Sequence, residues 1–220
     1  MYPVMLRLEN RICVIVGGGA VAARKAADLL ASGARVTVIS PVLHASLEAL
    51  TQHAALTVIC EPYNSDQLMR LSPLLVFAAT DDPTVNAQVA ADAHRIGALV
   101  NISADSATSD FFSMAQVRRG DITTAISTGG ASPALSAHLR RVLSTVLEQA
   151  IGDEYATLSA WMRESRAAIR QTISTQPERR DLWQAVIDSD ILQHLRDGDA
   201  ERARRLYEQL LGESVNPDEH

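Results

Sequence analysis

Between Cys13 and Lys25 a β-branched apolar run, Cys-Val-Ile-Val, passes through three consecutive glycines straight into an alanine-rich helical pattern. That order of residues predicts a strand, a tight turn and a helix of the kind that holds the pyrophosphate of a dinucleotide. Gly17 permits the turn, and Gly19 lets the backbone approach a phosphate with no Cβ in the way. Ala22 stands where a small residue lets helix and strand pack closely. The first helical turn, from Ala20 and Val21, presents unpaired N–H groups and a partial positive charge to an anion. A glycine triplet alone is a weak signal. A strand before it, a helix after it and a second strand on schedule make it a strong one.

The rest of the first half keeps the alternation. Gly33 ends the helix, Arg35–Ile39 reads as a strand, Leu43–His53 as a helix and Leu56–Cys60 as a third strand. Ser65–Leu71 is a short helix, followed by the apolar run Leu74–Ala78. Asp82-Pro83 supplies a helix cap and a proline at the first helical position. That helix closes at Gly97, and Leu99–Ile102 is a fifth strand. Strands and helices at this spacing predict an α/β, doubly wound parallel sheet. Beyond it, Phe111–Val117 and Ile122–Ser127 flank Arg118-Arg119-Gly120-Asp121, the pattern of a hairpin. An amphipathic helix follows from Pro133 to about Gln149. From Glu154 the pattern is helical, with breaks near Gln176-Pro177 and Asp197-Gly198. The domains are placed at residues 1–110, 111–150 and 151–220.

Composition excludes several classes. Net charge is −6, which disfavours nucleic acid as a partner. No apolar run approaches the roughly 20 residues that span a bilayer, so no membrane contact is expected. Two cysteines, Cys13 and Cys60, fit reduced thiols in the cytoplasm rather than a disulfide scaffold, and the six histidines show no metal-ligand spacing. No bound metal is expected.

Four segments together resemble a known family. They are Val16–Lys25, Ala78-Ala79-Thr80-Asp81-Asp82, Val100-Asn101 and Ser127-Thr128-Gly129-Gly130-Ala131-Ser132-Pro133-Ala134-Leu135, with a weaker match at Glu178-Arg179-Arg180 and Trp183. In this order they resemble the precorrin-2 dehydrogenases, including the amino-terminal module of siroheme synthase. The resemblance implies a homodimer built from a Rossmann-type domain, a small α+β dimerisation segment and a helical carboxy-terminal domain covering a tetrapyrrole cleft. The implied reaction is NAD-dependent oxidation of precorrin-2 to sirohydrochlorin; some members also insert ferrous iron.

Ser40, Pro41 and Val42 are then expected beside the adenosine ribose, where an NAD fingerprint usually has an acid. Thr80 and Asp81 would edge the nicotinamide, while Asp82 is read as a helix cap. Asn101 would orient the nicotinamide or a substrate carboxylate. Thr128, Gly129 and Gly130 would line the tetrapyrrole cleft, with backbone N–H groups forming a carboxylate nest. Arg118, Arg119, His138, Arg140 and Arg141 are the cations expected to meet substrate carboxylates.

One departure stands out. The family pattern has an aspartate, the implied general base, three residues after the asparagine; here that position is Ala104, followed by Asp105. Alanine accepts no proton, and losing a positioned base costs on the order of 10²- to 10⁴-fold in rate. Three accounts stay open: an introduced substitution, Asp105 acting instead, or a non-catalytic carrier or sensor of NAD and tetrapyrrole.

Overall fold

The computed structural model describes residues 1–103, 107–129 and 131–215. It separates into two compact units, Met1–Ser113 and Met114–His220.

The first unit runs β1 (Ile12–Val16), α1 (Ala20–Ala31), β2 (Arg35–Ile39), α2 (Ala45–Glu48), β3 (Leu56–Ile59), α3 (Ser65–Leu71), β4 (Leu75–Ala78), α4 (Pro83–Arg95) and β5 (Leu99–Ile102). The strands form one parallel sheet in the order β3-β2-β1-β4-β5. Side-chain alternation divides the interior in two. Cys13, Ile15, Val38 and Phe77 pack with α1, while Val14, Val16, Val76 and Val100 pack with α4. Burial on both faces explains why these strands read as unbroken apolar runs. On α1 the packing face is Ala22, Ala23 and Ala26, small enough to bring the helix close to the sheet. Gly33, at φ +75°, ends α1, and Asp82 caps α4 by accepting from the N–H groups of Thr84 and Val85 at 2.8 and 3.4 Å.

The helix expected over Leu43–His53 is cut to the single turn of α2. Beyond it the backbone makes successive three-residue turns, with Thr51 N–H donating to Glu48 and His53 N–H to Leu50. Side chains favour these turns over a continued helix. The Thr51 hydroxyl donates to the Glu48 carbonyl at 2.7 Å, and His53 Nδ1 accepts from Ala55 N–H at 3.1 Å.

The second unit opens with a hairpin of β6 (Ala115–Arg119) and β7 (Ile122–Ile126), turning at Gly120 with φ +53°. Five helices follow: α5 (Pro133–Ala150), α6 (Asp153–Thr172), α7 (Gln176–Asp188), α8 (Ile191–Arg196) and α9 (Ala200–Val215). Leu158, Ile169, Leu182, Val186, Ile191 and Tyr207 make its core. Tyr207 is fully buried, and its hydroxyl meets Ser165 Oγ at 3.1 Å. Among the described residues no helix is long and apolar enough to cross a membrane.

Candidate functional site

The strand order reverses direction at β1, which lies between β2 and β4, and the crevice of an open parallel sheet forms at the carboxyl ends of such strands. Gly17 leaves β1 there with φ +119°, donating its N–H to the Ile39 carbonyl at 2.9 Å. A Cβ on Gly17 would overlap the carbonyl oxygen of Ala79 at the end of β4. A Cβ on Gly18 would run into the carbonyl oxygen of Val42 and sit 2.6 Å from Ser40 Oγ. The protein's own packing therefore demands both glycines. Gly19 is different: a Cβ there would meet nothing within 4 Å, and the residue is exposed. It is the N-cap of α1, with no side-chain cap and no acid in the first turn. Exposed Ala20 and Val21 follow it, so the helix terminus offers its N–H groups to open space. These residues fit a dinucleotide pyrophosphate.

The loop after β2 is held from within. Ser40 is buried, and its hydroxyl donates to the Val42 carbonyl at 2.8 Å. Its hydrogen is committed to that turn, so Ser40 shapes the loop, while exposed Pro41 and Val42 form its surface.

At the end of β4, Thr80 is tied to Asn86. Their side chains meet at 2.8 Å, Thr80 N–H donates to Asn86 Oδ1 at 3.2 Å, and Asn86 Nδ2 donates to the Thr80 carbonyl at 2.9 Å. Asp81 is exposed beside this knot.

Asn101 occupies a buried position on β5, in register with Phe77. Its Nδ2 donates to the Phe111 carbonyl at 2.9 Å, and its Oδ1 accepts from Lys25 Nζ at 3.1 Å. Lys25 lies 4.6 Å from the centre of the Phe77 ring, which in turn packs edge-on against Phe111 at 5.2 Å. Burial pushes the Lys25 ammonium below the ordinary lysine pKa; neighbouring Arg24 adds to this and Asp28 opposes it.

In the second unit the Thr128 hydroxyl lies 3.0 Å from Ser136 Oγ and 3.3 Å from the Ser132 carbonyl. Ser132 caps α5 by accepting from Leu135 N–H at 3.2 Å. Arg119 pairs with Glu148 at 3.2 Å. Arg118, His138, Arg140 and Arg141 are exposed.

Two family models match the chain. One, described as "Putative NAD(P)-binding", covers residues 4–115, and the sirohaem synthase dimerisation region covers residues 154–211. Siroheme synthase of Gluconobacter oxydans is 34% identical over 96% of this chain and 44% of its own. Siroheme synthase 1 of Aeromonas salmonicida is 35% identical over 97% and 44%. The chain thus spans under half the length of these curated relatives. The solved structure of SirC, a precorrin-2 dehydrogenase, superposes with a TM-score of 0.72 at 27% identity, over 95% of this chain and all of that one.

The chain belongs to the family of siroheme synthase amino-terminal modules and precorrin-2 dehydrogenases.

Within that family's plan several of the expected site residues have internal partners. One donor and one acceptor site of the Asn101 amide are engaged internally, which fixes its orientation, and an amide carries a second of each. After Thr128, three described N–H groups have internal acceptors. Gly129 N–H donates to Ser127 Oγ, Ala131 N–H to the Thr128 carbonyl and Ser132 N–H to Thr128 Oγ1. Arg119 is paired with Glu148 at the surface. Asp82 is the helix cap it was read to be. Ala104, Asp105 and Gly130 lie outside the described residues. Sequence reasoning missed Gly18, Asn86 and Lys25. Lys25 carried one signal, being the chain's single lysine among 20 basic residues. Its partner Asn101 is 76 positions away, and no local pattern announces that.

Proposed function

We propose that this chain catalyses the NAD-dependent oxidation of precorrin-2 to sirohydrochlorin, as a cytoplasmic homodimer in siroheme synthesis. The observation that carries the reading is the uncapped α1 terminus beside Gly19, opening at the switch point of the sheet. The likeness to SirC over nearly the whole chain supports the substrate. Free Cys13 and Cys60 support a reducing compartment.

NAD, when bound, supplies the hydride acceptor, and the macrocycle also loses one proton. The protein's part is to hold and orient. Gly17 and Gly18 lock the turn, and the α1 terminus with Gly19, Ala20 and Val21 takes the pyrophosphate. Pro41 and Val42 flank the adenosine, and Thr80 and Asp81 edge the nicotinamide. No acid stands at position 40 to favour the 2′-hydroxyl, so the preference for NAD over NADP rests on the family. Asp105 is the carboxylate left to take the proton, and with Ala104 beside it a low rate is expected. Metal insertion is not assigned to a chain with alanine at this position. Arg118, His138 and Arg141 are cations available to substrate carboxylates.

The dimer contact is assigned to residues 111–150, with the dimerisation model over residues 154–211 supporting a second copy. On α5, Leu135, Val142 and Val146 form an apolar stripe that is 45–50% exposed. Their spacing puts them on one face, which a second copy would cover.

The test is anaerobic turnover of precorrin-2 with NAD or NADP, following NADH and sirohydrochlorin absorbance for this chain and Ala104→Asp. Faster turnover by the aspartate variant, with NAD preferred, is the expected result. Tetrapyrrole and NAD binding without turnover by either protein would replace the enzyme with a carrier or sensor.

A further inference from the structure

We propose that the groove between α6 and α7 is the seat for the carboxylate arms of the tetrapyrrole, an arginine-walled surface apart from the cations Arg118, Arg119, His138, Arg140 and Arg141 expected from sequence. The proposal rests on the substrate class proposed above. The concavity, about 1010 Å³, lies wholly within the second unit. That is at the upper end of the roughly 300–1,000 Å³ usual for small-molecule sites, room enough for a macrocycle.

Its lining combines two properties that a flat ring with peripheral carboxylates requires. The first is positive charge. Arg163, Arg166 and Arg170 on α6 face Arg179 and Arg180 on α7. Separations of three and four residues set the first three along one face, spanning about 10 Å at the helical rise. In a chain of net charge −6, five guanidinium groups meet here around one lining carboxylate, Asp121. The second property is an apolar surface. Met162 and buried Ile169 contribute it from α6, and the half-buried Trp183 indole and Ile187 from α7. An aromatic face beside such a floor suits a conjugated macrocycle.

The arginines are not equally free. Arg163 pairs with Asp121 at 2.8 Å, and Arg180 with its exposed neighbour Asp181 at 2.9 Å. Arg179 donates to the carbonyls of Ile173 and Ser174 at 2.6 and 2.7 Å, fixing the joint between the two helices. Arg166 and Arg170 have no carboxylate partner among the described residues. Both are exposed and stand four residues apart on one face of α6, which leaves them available to an external anion, and the planar guanidinium matches a carboxylate in a way an ammonium does not. Nucleic acid is the less suitable polyanion, since the surrounding protein is net negative.

The experiment titrates uroporphyrin, a porphyrin with carboxylates on all its peripheral arms, into the full chain and reads quenching of tryptophan emission. Arg166→Glu with Arg170→Glu is compared with the paired lysine variants. NAD titration and sedimentation velocity check the fold and assembly of each. The reversed variant is expected to bind at least tenfold more weakly, the lysine variant a few-fold more weakly, with NAD affinity and assembly unchanged. Unaltered porphyrin affinity in the reversed variant overturns the proposal, as does absence of porphyrin binding by the parent chain. Loss of binding accompanied by dissociation also overturns it, showing a subunit contact instead. Precorrin-2 turnover is read separately. If it proceeds with unchanged KM in the reversed variant, the enzyme reading stands and the groove falls.

Discussion

The two units of this chain solve the burial problem differently. In the first, β1, β2 and β4 are almost wholly enclosed, with Cys13, Val14, Ile15, Val38, Val76 and Ala78 at 0% exposure. In the second, the hairpin and α5 contribute a single buried residue among those described, Ile126, and the core lies in α6–α9. The first unit is an enclosed sheet at whose edge one helix terminus stands open. The second leaves an apolar stripe and a cationic groove on its surface. A closed frame suits a cofactor held the same way each time, and an open one suits contacts that must be made with another molecule.

The sharpest break of this contrast is Gly17→Ala. At φ +119°, with a Cβ overlapping the Ala79 carbonyl, it should destabilise the first unit by about 3 kcal/mol or more, read by urea unfolding. Gly19→Ala should leave that transition within about 0.5 kcal/mol while weakening dinucleotide binding, because its Cβ enters only open space. Equal effects of the two would mean that the turn is not the rigid frame described.

Charges on the open unit come next. Val142→Asp with Val146→Asp should raise the dimer dissociation constant at least tenfold, or about 1.4 kcal/mol, in sedimentation equilibrium, with the urea transition of the first unit unmoved. An unchanged dimer would remove α5 from the contact.

The smallest effects are two titrations, one in each unit, in which stability rises with pH for different physical reasons. In the second, Arg196 donates to Glu154 at 2.8 Å and holds its carboxyl below the ordinary range. That stability is present above the ordinary glutamate pKa and is lost as pH falls through the lowered one. Glu154→Gln should therefore flatten the acid limb of the stability profile. In the first, the lowered pKa of Lys25 means the unfolded chain binds the extra proton between the lowered and ordinary values. Stability should rise with pH across that window, and Lys25→Met should abolish the rise. The single lysine makes the same group readable by pH-dependent amine labelling.

Legibility followed the range of the forces involved. Five strands and the glycine turn were readable because their signals are local: β-branched runs, glycines and a proline after a capping aspartate. The second helix was misjudged because Thr51 and His53 offered the backbone turn partners that apolar spacing does not register. Ser40 and Thr80 follow β2 and β4, as the order of elements predicted. Their hydroxyls, however, proved to be spent on Val42 and Asn86, which a motif does not disclose.

By itself the sequence determined the parallel sheet, the order of its elements and the turn that opens toward a phosphate, since periodicity and glycine conformations act within a few residues. Only the tertiary structure decided that Lys25 and Asn101 hold one another, that the Thr128 hydroxyl is tied to Ser132 and Ser136, and that the basic groove lies between α6 and α7. Those outcomes depend on which faces meet across tens of positions, and burial and electrostatics act through space rather than along the chain.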